Sequence, residues 1–130
     1  LVGPADFIRR AHRIRKLVGG GMRQIGVVAA AGTHALDHHI DRLAHDHANA
    51  LHLAERLTQV NAIHVDPNLV ETNMVFITLP DGAADGLRAH LAECGILLGG
   101  GAKQIRLVTH LDITIDDIDL LTEEISHYFA

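Results

Sequence analysis

Asn73-Met74-Val75-Phe76-Ile77-Thr78-Leu79 is a run of β-branched, aromatic and other apolar residues of strand length, and it sits where the apolar periodicity stops being helical. Just upstream, Ala62-Ile63-His64-Val65 reads as a second short strand, set off by the turn residues Asp66-Pro67-Asn68. Just downstream, Pro80-Asp81-Gly82 turns the chain into a helix from about Ala83 to Cys94, carrying Leu87 and Leu91 and closed by Gly95 as a left-handed cap. Ile96-Leu97-Leu98 and Ile105-Arg106-Leu107-Val108 read as two more strands. Gly99-Gly100-Gly101-Ala102 between them is expected to make the reversal of a hairpin, because glycine accepts positive φ. Thr114 followed by Asp117 has the form of a capping box, opening a last helix whose apolar face is Ile118, Leu121, Ile125 and Tyr128.

Before Asn61 the pattern is helical. Pro4 suits a first turn, and Phe7, Ile8, Ala11 and Ile14 follow at helical spacing, with Arg9, Arg10, Arg13 and Arg15 elsewhere on the surface. Gly19, Gly20 and Gly21 break that helix. Ile25 to Leu36 is rich in Val and Ala with little charge, and a helix buried nearly all round is expected. After a joint at Asp37-His38-His39, a helix from about Ile40 to Leu57 carries the stripe Ile40, Leu43, His47, Ala50, Leu51, Ala54 and Leu57. Helices, then strand, strand, helix, strand, strand and helix give an α+β fold, with helices packed on one face of a small, mostly antiparallel sheet.

The composition excludes several classes. A chain of 130 residues, 48% hydrophobic, can bury one core. Its formal charge of −5 and its lack of Trp argue against nucleic acid and against an anionic membrane. Cys94 is alone, so no intrachain disulfide forms and a reducing, cytoplasmic setting is expected. Leu1-Val2-Gly3 reads as the end of an apolar strand begun upstream, so a truncated chain is expected. Among the 11 histidines, His34, His38, His45 and His52 fall at helical intervals. A helix break near Asp37 to Ile40 and the absence of an HExxH pattern argue against a zinc stripe, and no metal is expected.

Two places invite an anion. Gly19-Gly20-Gly21-Met22-Arg23 reads as a glycine run opening a helix, where free amides and the helix dipole favour a phosphate or carboxylate, although a plain turn explains the glycines too. Arg23 adds planar donors beside it, and Lys16, one turn earlier, is a nucleophile, an acid-base group or an exposed lysine. Arg106 lies among aliphatic strand residues, so its charge calls for an acid, either an internal Asp or Glu or a ligand carboxylate. His110 and Asp112, two apart, suit a local hydrogen bond, and Asp116 and Asp117 read as first-turn helix residues.

The segments Arg15-Lys16-Leu17-Val18-Gly19-Gly20-Gly21-Met22-Arg23-Gln24 and Ile105-Arg106-Leu107-Val108-Thr109-His110-Leu111-Asp112 carry a resemblance. Joined by Ala29-Ala30-Ala31-Gly32, Asp46-His47-Ala48-Asn49-Ala50 and Glu71-Thr72-Asn73-Met74, they resemble the low-specificity threonine aldolases along essentially the whole chain. The resemblance implies an aspartate-aminotransferase-like fold in which residues 1–36 are the end of the large cofactor-binding domain with its connecting helix and residues 37–130 are the C-terminal small domain. It implies pyridoxal 5'-phosphate as cofactor and retro-aldol cleavage of L-threonine or L-allo-threonine to glycine and an aldehyde, by a homo-oligomer, a dimer or a tetramer. Arg106 then matches the arginine for the substrate carboxylate. Arg23, with Gly20 and Gly21, matches the cofactor-phosphate side, and Lys16 matches an entrance lysine that exchanges protons. The lysine that holds the cofactor lies in a Ser-Lys-Gly-type segment that neither Lys16 nor Lys103 matches, so this stretch alone is expected to be inactive. Two other readings stand beside it. One is an aminotransferase or β-eliminating lyase of the same fold, and the other is a non-catalytic, histidine-rich binding or oligomerisation module.

Overall fold

The computed structural model describes residues Leu1–Ala130, which form two compact units, Leu1–Ile40 and Asp41–Ala130. The first unit holds two helices, α1 (Ala5–Leu17) and α2 (Ile25–His38), and neither buries a residue. Pro4 precedes α1, its fixed φ of −56° leading into the helical turn. α2 corrects the expectation of a helix buried all round: Val27, Val28 and Leu36 are all exposed, because no other segment of this unit covers them.

Gly19-Gly20-Gly21 also behaves differently from the expectation. The run closes α1 rather than opening α2. Gly19 has φ +79°, the Gly20 amide donates to the Arg15 carbonyl (2.8 Å), and the Gly19 amide donates to the Lys16 carbonyl (3.2 Å). Those two bonds form a Schellman cap, which consumes the amides of Gly19 and Gly20 that an anion would have used.

The second unit contains α3 (Leu43–Leu57), a 3₁₀ turn (Pro67–Leu69), β1 (Met74–Thr78), α4 (Ala83–Glu93), β2 (Gln104–Val108) and α5 (Ile115–Phe129). The strands pair antiparallel, with Phe76 opposite Arg106 and Ile77 opposite Ile105. Val75, Ile77, Ile105 and Leu107 are buried on one face, while Met74, Phe76, Arg106 and Val108 are exposed on the other. α3 packs against β1 and α5, and α4 packs against α5. The α+β class with helices on one face of an antiparallel sheet therefore holds, in a sheet of two strands.

Three local expectations change. The stripe that α3 buries is Asp46, Ala50, Leu53, Ala54 and Leu57, while Leu43, His47 and Leu51 face outward. The buried set still steps by three and four, and a polar residue sits in it because Asp46 is paired. The strand expected at Ala62–Val65 is a single bridge, His64 to Thr78. Asp66 accepts from the Asn68 amide (3.0 Å) and starts the 3₁₀ turn at once, which ends the pairing.

The hairpin between Ile96–Leu98 and β2 does not form. Gly95 (φ +79°) completes a second Schellman cap, with the Ile96 amide donating to the Leu91 carbonyl (2.8 Å) and the Gly95 amide to that of Ala92 (3.1 Å). Arg88 then donates to the carbonyls of Gly100 (2.8 Å) and Gly101 (2.5 Å). The loop's polar groups are thus committed to α4, and β2 pairs with β1 instead. α5 opens as expected: the Thr114 hydroxyl accepts from the Asp117 amide (3.2 Å), and the Asp117 carboxylate accepts from the Thr114 amide (2.8 Å).

Candidate functional site

Failure of the hairpin leaves a cleft of about 520 Å³ between the Ile96–Gly99 loop, β2 and the start of α5. Ile96, Leu98, Leu107 and Leu121 give it apolar walls, and Arg106 is the one permanently charged cation on its lining. Arg106 stands on the exposed face of β2, fixed in register by its buried neighbours Ile105 and Leu107. The basic side chains Arg42, Arg56, Arg88 and Lys103 all find acids in the chain, whereas Arg106 finds none. Of the two partners open to it from sequence, the internal Asp or Glu is therefore not used. Its guanidinium keeps its planar donors for a ligand, and a carboxylate matches that geometry in bidentate fashion.

The acids of the cleft are otherwise engaged. Asp117 belongs to the α5 cap, and the Thr114 hydroxyl and amide hold its carboxyl below the ordinary value of 3.8. Asp112 turns back on His110: its amide donates to the His110 Nδ1 (3.3 Å) and its carboxylate lies 3.7 Å from the same atom. That is the local pairing the spacing suggested.

Below Arg106 a polar node fixes the end of the strand. The buried Thr109 hydroxyl donates to the Asp46 carbonyl (2.7 Å). The Asn73 carboxamide donates to the Thr109 carbonyl (2.7 Å), and the Thr109 amide donates to the Asn73 carbonyl (3.0 Å). Asn49 reaches the Ile113 carbonyl (3.1 Å), and Arg42 donates both Nη atoms to the Asp46 carboxylate (2.9 and 2.8 Å). Asp46 is only 3% exposed, so this bidentate pair is what makes its burial tolerable. No single-residue signal marked Asp46, Asn49, Asn73 and Thr109 as one group. The trace they left is that all four lie within the stretches that carry the family resemblance.

Lys16, Gly20, Gly21 and Arg23 lie in the first unit. Lys16 folds over Gly21, where a Cβ would stand 3.0 Å from the lysine Nζ, and a Cβ on Gly20 would meet the Arg15 Cγ at 2.8 Å. A side chain at Gly21 would only displace the flexible end of Lys16, whereas one at Gly20 would also crowd the Arg15 carbonyl at 3.1 Å. Arg23 is exposed just ahead of α2, whose N-terminus has no side-chain cap. The orphan amides of that first turn, not those of the glycine run, are the ones beside Arg23. Lys103 is tied to Asp81 (2.7 Å), and this hydrogen bond and the lysine's charge hold the aspartate below its ordinary value. His34, His38 and His52 do not share one helix: α2 ends at His38, and His52 in α3 pairs with Asp119 (2.9 Å).

Residues 1–80 match the family model described as Beta-eliminating lyase. The chain belongs to the beta-eliminating lyase family. It is similar to a protein named low-specificity L-threonine aldolase 1 from Arabidopsis thaliana, with 47% identity over 122 residues that make up 91% of this chain and 34% of that protein. It is also similar to the low specificity L-threonine aldolase of Escherichia coli (strain K12), with 40% identity over 130 residues, 100% of this chain and 37% of that one. A probable low-specificity L-threonine aldolase of Schizosaccharomyces pombe is 35% identical over 93% of the chain. The chain thus spans about a third of the length of the curated relatives it matches.

Proposed function

We propose that this chain is the C-terminal portion of a pyridoxal-phosphate-dependent aldolase that cleaves L-threonine or L-allo-threonine to glycine and an aldehyde. The observation that carries the reading is Arg106, a guanidinium without an internal acid at the rim of an apolar cleft, in a chain similar to proteins named threonine aldolases. Residues 1–36 then correspond to the end of the large domain of an aspartate-aminotransferase-like fold, and residues 37–130 to its small domain.

The residues present fit the phosphate side of the cofactor. Arg23 is exposed next to the uncapped first turn of α2, and Lys16 lies against Gly21 close by in the same unit. The chain's lysines are Lys16 and Lys103, and neither matches the family's cofactor-holding lysine. When bound, pyridoxal phosphate supplies the electron sink for the carbanion left at the substrate's Cα. Arg106 holds the α-carboxylate by two parallel hydrogen bonds and so fixes the direction of the bond from Cα to Cβ. A base takes the β-hydroxyl proton, that bond breaks, and the aldehyde departs. Cα then takes up a proton to give glycine, a transfer for which Lys16 at the entrance is the candidate.

The exposed Val27, Val28 and Leu36 of α2 support burial against the rest of the protein or a second copy, as in a homodimer or homotetramer. No helix is long and apolar enough to cross a membrane, and a cytoplasmic location is part of the same proposal.

The test is Arg106→Gln in the complete protein. Losing a charge-assisted carboxylate contact is expected to lower kcat/KM for threonine roughly tenfold to hundredfold, mainly through KM. The absorption spectrum of the bound cofactor should not change. Unaltered KM in a folded variant would remove Arg106 from the substrate site.

A further inference from the structure

His90 near the end of α4, Cys94 at its C-cap and Glu124 on α5 bring three ligand atoms within 4.8 Å of one another. The Glu124 Oε2 lies 3.0 Å from the His90 Nε2 and 3.3 Å from the Cys94 Sγ. On α5, His127 Nδ1 stands 3.9 Å from the other Glu124 oxygen. The spacing is i, i+4 on one helix and i, i+3 on the next, which puts each pair on one face of its helix. Cys94 also lines the cleft, whereas His90, Glu124 and His127 do not, and none of the four belongs to the polar node. Histidines followed along one helix do not reveal them, because two of the donors lie 30 or more residues from the other two.

We propose that His90, Cys94 and Glu124 bind a borderline-soft divalent cation, Zn²⁺, with His127 or water as the fourth ligand. Imidazole, thiolate and carboxylate are the donors zinc takes in proteins. Bonds of about 2.0–2.3 Å place tetrahedral donor atoms roughly 3.3–3.8 Å apart. The two Glu124 contacts are within a few tenths of an ångström of that spacing, and since all three donor atoms lie within 4.8 Å of one another, closing on one ion takes side-chain shifts of up to about an ångström.

The side chains are poised rather than free. His90 Nε2 is directed at Glu124, and its ring packs against Tyr128, with centroids 5.6 Å apart. The side chains of His90 and Glu124 are 30% and 20% exposed, whereas Cys94 and His127 are open to solvent. An ion can enter from outside and keep an exchangeable position. Without a cation the Cys94 thiol donates to Glu124, and that hydrogen bond, then burial and the charges of Glu124 and Glu93, hold it above its ordinary value of 9.0. Coordination replaces that proton: the S–H bond breaks, the sulfur keeps the electron pair for the metal, and one proton goes to solvent. The ion links α4 to α5, so it is expected to stabilise the fold in proportion to its affinity.

The experiment uses the full chain stripped of metal, titrated with Co²⁺ and then with Zn²⁺ against a chromophoric chelator. One equivalent of Co²⁺ is expected to give a thiolate-to-cobalt charge-transfer band, which Zn²⁺ removes. Cys94→Ser should abolish the band, and both it and His90→Ala should weaken Zn²⁺ binding by about tenfold or more. His34→Ala with His38→Ala, a pair of α2 histidines whose rings lie 4.5 Å apart, should leave both readouts unchanged. Absence of a thiolate band in the unmodified chain overturns the proposal. So does a stoichiometric Zn²⁺ affinity that survives Cys94→Ser and falls with the α2 pair. Circular dichroism of each variant shows that it has folded, and Cys94→Ser, at an exposed position, is the variant least disturbed by the change.

Discussion

α2 and α3 differ by one residue in length, 14 against 15, and the more apolar of the two is the one with nothing buried. α3 carries Asp46, His45, His47, His52, Glu55 and Arg56, yet five of its residues are inside. The difference lies in company. α3 has β1 and α5 to pack against, while α2's unit offers it only α1. Hydrophobic residues at helical spacing specify a face, and a second surface turns that face into a core.

The largest effect expected from this contrast is at Leu57 and Val28. Leu57 of α3 is fully buried, so Leu57→Ala should destabilise the second unit by about 2–5 kcal/mol. Val28→Ala on exposed α2 should stay within about 0.5 kcal/mol. Urea denaturation of the full chain followed by circular dichroism measures both. A large loss from Val28→Ala would mean that the chain itself covers α2.

A smaller effect separates the two Schellman caps. Gly19 and Gly95 share φ +79°, and a Cβ at either meets nothing within 4 Å, so alanine is penalised by backbone conformation alone. Gly95→Ala should cost about 1–2 kcal/mol in the cooperative transition of the second unit. Gly19→Ala should register as local fraying of α1, read as faster amide exchange there, with little change in that transition. Equal shifts in the midpoint of that transition would erase the distinction.

The smallest effect is in acid. Asp117 and Asp81, both in the second unit, have folded values below 3.8, so the stability they add is fully present above that pH and is lost as pH falls through their lowered values. Asp117→Asn should flatten the pH dependence of the denaturation midpoint below 3.8 and leave the helices of the first unit untouched. An unchanged acid slope would show that the cap carries no such linkage.

Much of the second unit was legible in the sequence. The Thr114/Asp117 box, the Gly95 cap and the Ala83 helix depend on residues within a few positions of one another, and local chemistry determines them. The hairpin was misread because Gly99-Gly100-Gly101 permits a reversal without requiring one. What decides the loop is Arg88, a dozen residues away, taking its carbonyls. Arg106 reads as a charge needing an anion because its sequence neighbours Ile105 and Leu107 are aliphatic, but those neighbours turn into the core while Arg106 stands on the exposed face of β2, so the strand by itself demands no partner for it. The node of Asp46, Asn49, Asn73 and Thr109 was not legible, since its bonds span up to 64 residues and single positions carry no sign of their partners. The glycine run reads both as the end of one helix and as the opening of the next, because three glycines serve either purpose, and the amide partners of Gly19 and Gly20 settle it as the cap of α1.

The sheet has two strands, so β2 has a neighbour on one side and none on the other. A bare strand edge is a template on which a further chain can accrete, and nature commonly guards such edges with charge. Arg106, in the middle of β2, is the strand's one charged residue. With no ligand bound, the unpaired charge of Arg106 would disfavour the pairing of another copy along that strand. Replacing it with an apolar residue would yield a preparation that clumps, which is why a polar glutamine is the replacement that isolates its role in recognition.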